Sequence, residues 1–224
     1  MSAVAAIVFD FDGVIADSEP LHLRTYQDVL SSVGITVDRD EYYERYLGFD
    51  DAGAFRAIAA ARGLQWTEQE IADLVARKTA VFDARLGTAA MLYPDAAGCV
   101  ARLAGRFPLG IASGALKHEI LAVLRSSGLE PHFRFVVAAG DTRRSKPAPD
   151  PYRRAAELHG LPPGRCLAIE DSRWGIESAR TAGLRCIGIT NTYPAHELTM
   201  ADRVIGSLDE LTDDLIGGLE AQPK

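Results

Sequence analysis

Val4-Ala5-Ala6-Ile7-Val8-Phe9-Asp10-Phe11-Asp12-Gly13 opens the chain with an apolar run that breaks at two aspartates and a glycine. A short run rich in β-branched and aromatic residues, ended by polar residues and Gly, reads as a buried strand. Side chains two apart on a strand share a face, so Asp10 and Asp12 can converge on one point. Two carboxylates that close repel, and a buried pair stays ionised only beside cations, a metal ion first among them. An ordinary turn uses Asp and Gly as well. The rest of the chain has to choose between these readings.

At 224 residues there is room for one full core domain plus a smaller insert. A hydrophobic content of 47% and a charged content of 25% are those of a globular protein. The net charge of -7 argues against nucleic-acid or anionic-membrane partners, which need a basic footprint. No apolar run approaches the ~20 residues that span a bilayer. The opening run lacks a cationic lead and is cut by two aspartates, unlike a signal peptide. Cys99, Cys166 and Cys186 are odd in number and lack CxxC spacing, so neither a disulfide framework nor a zinc site is expected. A reduced, cytoplasmic setting is the simplest expectation.

Further along, the texture changes. From about Asp17 to Gly87 the signals are helical. Asp51 to Arg62 reads as a helix closed by Gly63. Thr67-Glu68-Gln69-Glu70 is a capping box, followed by Ile71, Leu74, Val75, Lys78 and Phe82 on one helix face. Beyond Pro94, apolar runs at 109–112, 135–138, 166–169, 185–189 and 203–205 alternate with helical stretches at 117–127, 150–160 and 174–182. Asp150 is placed as the cap of the second of these. Ser207-Leu208-Asp209-Glu210 reads as another capping box, starting a helix towards Leu219. Alternating strands and helices give a doubly wound, mainly parallel α/β sheet. The expected organisation is a Rossmann-like core, residues 1–16 and 88–224, with an inserted helical domain at 17–87. Gly87 and Pro94 bracket the return linker as the expected hinge. Ligands of such sheets bind beyond the carboxyl ends of the strands. That rule singles out Asp10, Asp12, Ser113, Gly114, Asp141, Glu170 and Asp171.

These residues carry a resemblance. Asp10-Phe11-Asp12-Gly13-Val14-Ile15, Ile111-Ala112-Ser113-Gly114, Ser145-Lys146-Pro147-Ala148-Pro149-Asp150 and Ile169-Glu170-Asp171-Ser172 follow in order as the motifs of the haloacid dehalogenase-like hydrolase superfamily. The insert lies where that superfamily carries its α-helical cap. The stretch from Asp12 to His22 is similar to the subgroup of phosphatases and β-phosphoglucomutase. The resemblance implies hydrolysis of a small phosphorylated metabolite through an aspartyl phosphate, with Asp10 as nucleophile and Asp12 as general acid and base. It further implies phosphoryl contacts from Ser113, the Gly114 amide and Lys146. Mg²⁺ would sit on Asp10, the Asp12 main-chain carbonyl and Asp171, with Glu170 either a ligand or a partner of the ligands. These roles suit the chemistry, because Mg²⁺ is a hard ion that prefers carboxylate and phosphate oxygens.

Other activities fit less well. Dehalogenation needs no acid for an alkoxide leaving group, and Asp12 supplies one. Phosphonate cleavage needs an imine-forming cap lysine, for which only Lys78 is present. A phosphomutase is the main alternative. Aligning Leu47-Gly48-Phe49-Asp50-Asp51 with the mutase cap loop puts Asp51 where that enzyme has an arginine, and an acid there would repel phosphate. A non-catalytic phosphate sensor would be expected to lose Asp10 or Lys146, and both are present. His22 is either a coupler to Asp12 or a solvated histidine, Trp174 either core or pocket wall. His118, His132, His159 and His196 show no metal-ligand spacing. Arg143 and Arg144 read as surface charges, and Trp66 as a contact beside the capping box.

Overall fold

The computed structural model describes residues 4–86 and 92–219, so Gly87 lies outside the described residues. Six strands form one sheet in the order β3-β2-β1-β4-β5-β6: β1 (Ala6–Phe9), β2 (Leu109–Ala112), β3 (Phe133–Val137), β4 (Cys166–Glu170), β5 (Arg185–Ile189) and β6 (Arg203–Ile205). All five pairings are parallel. β1, β2 and β4 are buried along their whole length, which is why their sequences are apolar runs rather than alternations. Each fully buried Ile, Val or Phe there contributes roughly 1.5–3 kcal/mol. The strand order reverses beside β1, where Phe9 pairs with Ile111 on one side and Ile169 on the other. Asp10, Ser113 and Asp171 therefore leave the sheet near one topological switch point.

Cα packing divides the chain into two compact units, Met1–Asp17 with Met91–Lys224, and Ser18–Ala90. The first holds the sheet with α5 (Ala96–Ala104), α6 (Lys117–Ser126), α7 (Asp150–His159), α8 (Arg173–Ala182) and α9 (Asp213–Gly218). Pro94 lies in the turn before α5. Two local expectations need correction. Asp150 is not a cap but sits inside the first turn of α7, where its carboxylate takes both arms of Arg144. No continuous helix starts at Ser207. Its hydroxyl donates to Asp95, Glu210 reaches back to the Gly206 amide, and only a short 3-10 turn forms at 208–210. Fully buried Leu211 then leaves helical geometry, and α9 begins afresh with Thr212 as its cap.

The second unit is helical: α1 (Glu19–Ser31), α2 (Arg39–Arg45), α3 (Asp51–Ala61) and α4 (Glu68–Leu86). Tyr26, Leu30, Tyr42, Phe55, Ile58, Ile71 and Leu74 form its core, with Trp66 packed against it. The capping box forms as read, the Thr67 amide donating to Glu70 and the Glu70 amide to Thr67 Oγ1. Lys78 shares the buried face of α4, and its ammonium lies 3.0 Å from Asp51 and 2.9 Å from His22 Nδ1. Lysine can only donate, so His22 Nδ1 is the acceptor. The His22 ring stacks on Phe82 with centroids 4.3 Å apart. His22 is thus a buried partner of Lys78 rather than a solvated side chain. The expected repulsive charge of Asp51 is likewise matched within its own unit, by Lys78 and by the Tyr26 hydroxyl at 2.6 Å.

His159 is partly enclosed. At the end of α7 it meets Phe135 edge-on at 4.6 Å, and both ring nitrogens are out of solvent. Burial, with help from Arg134, lowers its pKa from 6.5 to about 4. The unfolded chain therefore takes up this proton first, so the contribution is intact above pH 6.5 and is lost as pH falls towards 4. Urea unfolding of wild type and His159→Leu across that window should show the steeper loss in wild type. Parallel pH dependences would contradict the assignment.

Candidate active site

Three carboxylates meet beyond the ends of β1 and β4. Asp10, Glu170 and Asp171 are all buried, and one oxygen from each lies within 4.8 Å of the others. Lys146 enters from the loop before α7, which contains a cis Lys146–Pro147 peptide. Its ammonium sits 2.9 Å from Asp10 Oδ1 and 2.6 Å from Glu170 Oε1. The Phe11 amide donates to the same Asp10 oxygen at 2.7 Å, fixing how that carboxylate is turned. Burial and the neighbouring Glu170 raise the Asp10 pKa well above the ordinary carboxylate range, with Lys146 pulling the other way. Burial also works against the Lys146 ammonium, but Asp10 and Glu170 outweigh it and hold the lysine above its usual range.

Three carboxylates beside one ammonium gather negative charge in a buried place among the described residues. A divalent cation bound by oxygen ligands answers that charge, and Mg²⁺ fits the donor set. The Asp12 carboxylate is not among the three that lie within this distance of one another. Two glycines make the arrangement possible. Gly13 has a φ of +75°, and a Cβ there would lie 1.8 Å from Asp171 Oδ2. A Cβ on Gly175 would lie 2.0 Å from the Glu170 carboxylate.

Ser113 follows β2, is buried, and donates to Asp12 Oδ2 at 3.5 Å while accepting from the Ala115 amide. Gly114 is exposed, and a Cβ there would meet nothing within 4 Å. Asp12, Ser113 and Lys146 thus stand at the same strand ends as the acid cluster. Asp141 does not join them. It follows edge strand β3, where its carboxylate closes a turn by accepting from the Ala138 amide and pairs with exposed Lys117. Trp174 packs edge-on against Tyr193 with Arg173 over its ring, beside a cavity of about 460 Å³ that Glu177 and Met200 also line.

Two further side chains belong to this neighbourhood. The Tyr152 hydroxyl donates to Glu170 Oε1 at 2.6 Å, and Asn191 Nδ2 donates to the Gly13 carbonyl at 2.9 Å. Sequence offered a signal for the first. Tyr152 shares the buried face of α7 with Ala155 and Ala156, and a buried phenol needs an acceptor.

A family profile described as haloacid dehalogenase-like hydrolase matches residues 4–183. The chain is 34% identical over 220 residues to Protein CbbY of Cereibacter sphaeroides, covering 93% of this chain and 94% of that protein. It is 29% identical over 185 residues to the fructose-1-phosphate phosphatase YqaB of Escherichia coli, covering 83% of this chain and 96% of the other. A crystal structure of a CbbY variant from Rhodobacter sphaeroides in complex with xylulose-(1,5)bisphosphate has a TM-score of 0.83 at 31% identity, over 93% of this chain and 96% of that one. With its sheet, helical insert and aspartate motif in place, the chain belongs to the haloacid dehalogenase-like hydrolases, enzymes whose cap-bearing group carries out phosphatase and phosphomutase chemistry.

Proposed function

We propose that the protein is a Mg²⁺-dependent phosphatase acting on a small phosphorylated sugar through an aspartyl phosphate on Asp10. The observation that carries this reading is the Asp10 carboxylate, turned by the Phe11 amide and set between Lys146 and a buried acid cluster suited to a divalent ion. An Asp10 oxygen bonds to phosphorus as the ester P–O bond breaks, and Asp12 gives its proton to the departing alkoxide. Asp12 then takes a proton from water as that water attacks phosphorus, releasing inorganic phosphate and restoring Asp10. Ser113, the Gly114 amide and Lys146 bear on the phosphoryl oxygens, where negative charge accumulates. Asp10, Asp171 and the Asp12 carbonyl would hold Mg²⁺, which would supply positive charge against the same oxygens. The sugar class is favoured because relatives similar over most of this chain are named for, or crystallised with, phosphorylated sugars. Hydrolysis is preferred over mutase transfer because position 51 carries an acid already matched by Lys78, where transfer needs a cation for a second phosphate.

The test is phosphate release from fructose 1-phosphate, xylulose 1,5-bisphosphate, β-glucose 1-phosphate and phosphoglycolate, with Mg²⁺ or with EDTA. Turnover of at least one sugar phosphate is expected, abolished by EDTA, with no glucose 6-phosphate formed even when a bisphosphate primer is added. Primer-dependent isomerisation would make the mutase the better reading. Asp12→Asn adds a check on the general acid. It should impair sugar phosphates far more than p-nitrophenyl phosphate, whose leaving group scarcely needs a proton. Equal losses on both would assign Asp12 a positional role instead.

A further inference from the structure

Glu170 is the most enclosed acid of the site, and its Oε1 accepts two hydrogen bonds of 2.6 Å, one from Lys146 and one from the Tyr152 hydroxyl. The roles assigned above account for the lysine and leave the phenol unused. We propose that Tyr152 is a positioning residue for phosphoryl transfer, holding Glu170 so that the Lys146 ammonium stays shared with Asp10. This rests on the phosphatase reading given above.

The geometry leaves the phenol little else to do. Its ring is wholly buried on α7, so its one proton is directed at one acceptor, and a hydrogen bond to a carboxylate is of the strong, charge-assisted kind. The carboxylate is confined in turn. Gly175 at the start of α8 leaves it room that a Cβ would take, and Ser172 Oγ donates to the other oxygen at 3.4 Å. The ammonium lies 5.3 Å from the centre of the Tyr152 ring, which therefore also bounds the space in which Lys146 moves.

An ammonium placed between two carboxylates settles according to their competing demands. Glu170 makes the shorter contact, 2.6 Å against 2.9 Å to Asp10. The phenol satisfies part of the Glu170 charge and so weakens its claim on Lys146. Without that hydroxyl, Glu170 keeps, among the described residues, Lys146 at 2.6 Å and the longer Ser172 contact at 3.4 Å, and draws the lysine away from Asp10. The lysine is then displaced from the place where the phosphoryl group takes on charge. The Asp10, Asp171 and Glu170 charges are unaltered, so metal binding should persist while turnover falls.

Tyr152→Phe deletes one oxygen and keeps the ring. On the best sugar phosphate from the panel, kcat should fall about tenfold with KM changed less than about twofold. Calorimetric titration of the substrate-free protein should give a Mg²⁺ dissociation constant within about twofold of wild type. Glu170→Gln removes the charge that competes for Lys146, so in that background Tyr152→Phe should cost less than about twofold in single-turnover rate. Wild-type kcat in Tyr152→Phe, a rise in KM alone, a loosened Mg²⁺ site, or an equal loss in both backgrounds would each overturn the proposal. Should Tyr152→Phe not fold, 3-fluorotyrosine at 152 keeps the hydroxyl and strengthens it as a donor. An unchanged kcat there would overturn the proposal, and a shift beyond about twofold would support it. A wild-type protein that hydrolyses no phosphate ester would instead refute the phosphatase reading, before any variant is made.

Discussion

Asp10→Asn is expected to lower sugar-phosphate turnover by at least about a thousandfold while leaving a folded protein. The amide keeps the shape of the side chain and can still accept from the Phe11 amide, which lies 2.7 Å from Oδ1 in the wild type. What it lacks is the charge needed to attack phosphorus. Lys146 loses one partner but retains Glu170 at 2.6 Å, so no buried ammonium is stranded. Burial and Glu170 already press Asp10 towards its neutral form. Removing its charge therefore relieves repulsion, and the metal-free variant should melt no lower than wild type near neutral pH. Phosphate release and a thermal melt in EDTA check the two halves separately. Turnover within tenfold of wild type would remove Asp10 from the nucleophile's place, whereas a collapsed melt would show that its charge is structural.

Much of this site was legible because the fold places it at the ends of apolar runs. Asp10, Ser113 and Asp171 follow β1, β2 and β4, Glu170 is the last residue of β4, and a parallel sheet brings the ends of these adjacent interior strands together. The same rule failed for Asp141, because β3 lies at the sheet edge and its end has an ordinary turn to close. Lys146 was readable only through its motif, since nothing local separates it from nearby Arg143 and Arg144. Partnerships between distant segments were out of reach. Lys78 could be placed on a buried helix face, but its pairing with His22 and Asp51 arises only when three helices pack around it. Ser207 shows a local signal overruled by a distant one. Its sequence has the spacing of a capping box, yet Asp95 takes its hydroxyl and the helix starts later. Tyr152 lies between these cases, its burial foreseeable from the α7 pattern and its acceptor not.

Lys146→Met should separate the electrostatic and catalytic uses of the ammonium. The methionine fills similar space, so the change is chiefly the loss of a positive charge placed between Asp10 and Glu170. Removing one partner of a buried ion pair typically costs about 3–5 kcal/mol, because the remaining charge is left uncompensated. Here three buried carboxylates would remain with no lysine among them, and the metal-free variant should unfold several degrees below wild type near pH 7. The penalty should shrink as pH falls, since Asp10 is already held above the usual range and takes up a proton readily. Saturating Mg²⁺ should restore more stability to the variant than to wild type, because it answers a larger charge excess and binds only the folded site. Turnover should not recover with it. The phosphoryl oxygens would still lack the ammonium, and a loss of about a hundredfold to a thousandfold is expected from removing such a contact. Equal melting of both proteins in EDTA would show that Lys146 does not compensate the acids. Full turnover at saturating Mg²⁺ would show that its charge serves only to keep them folded together.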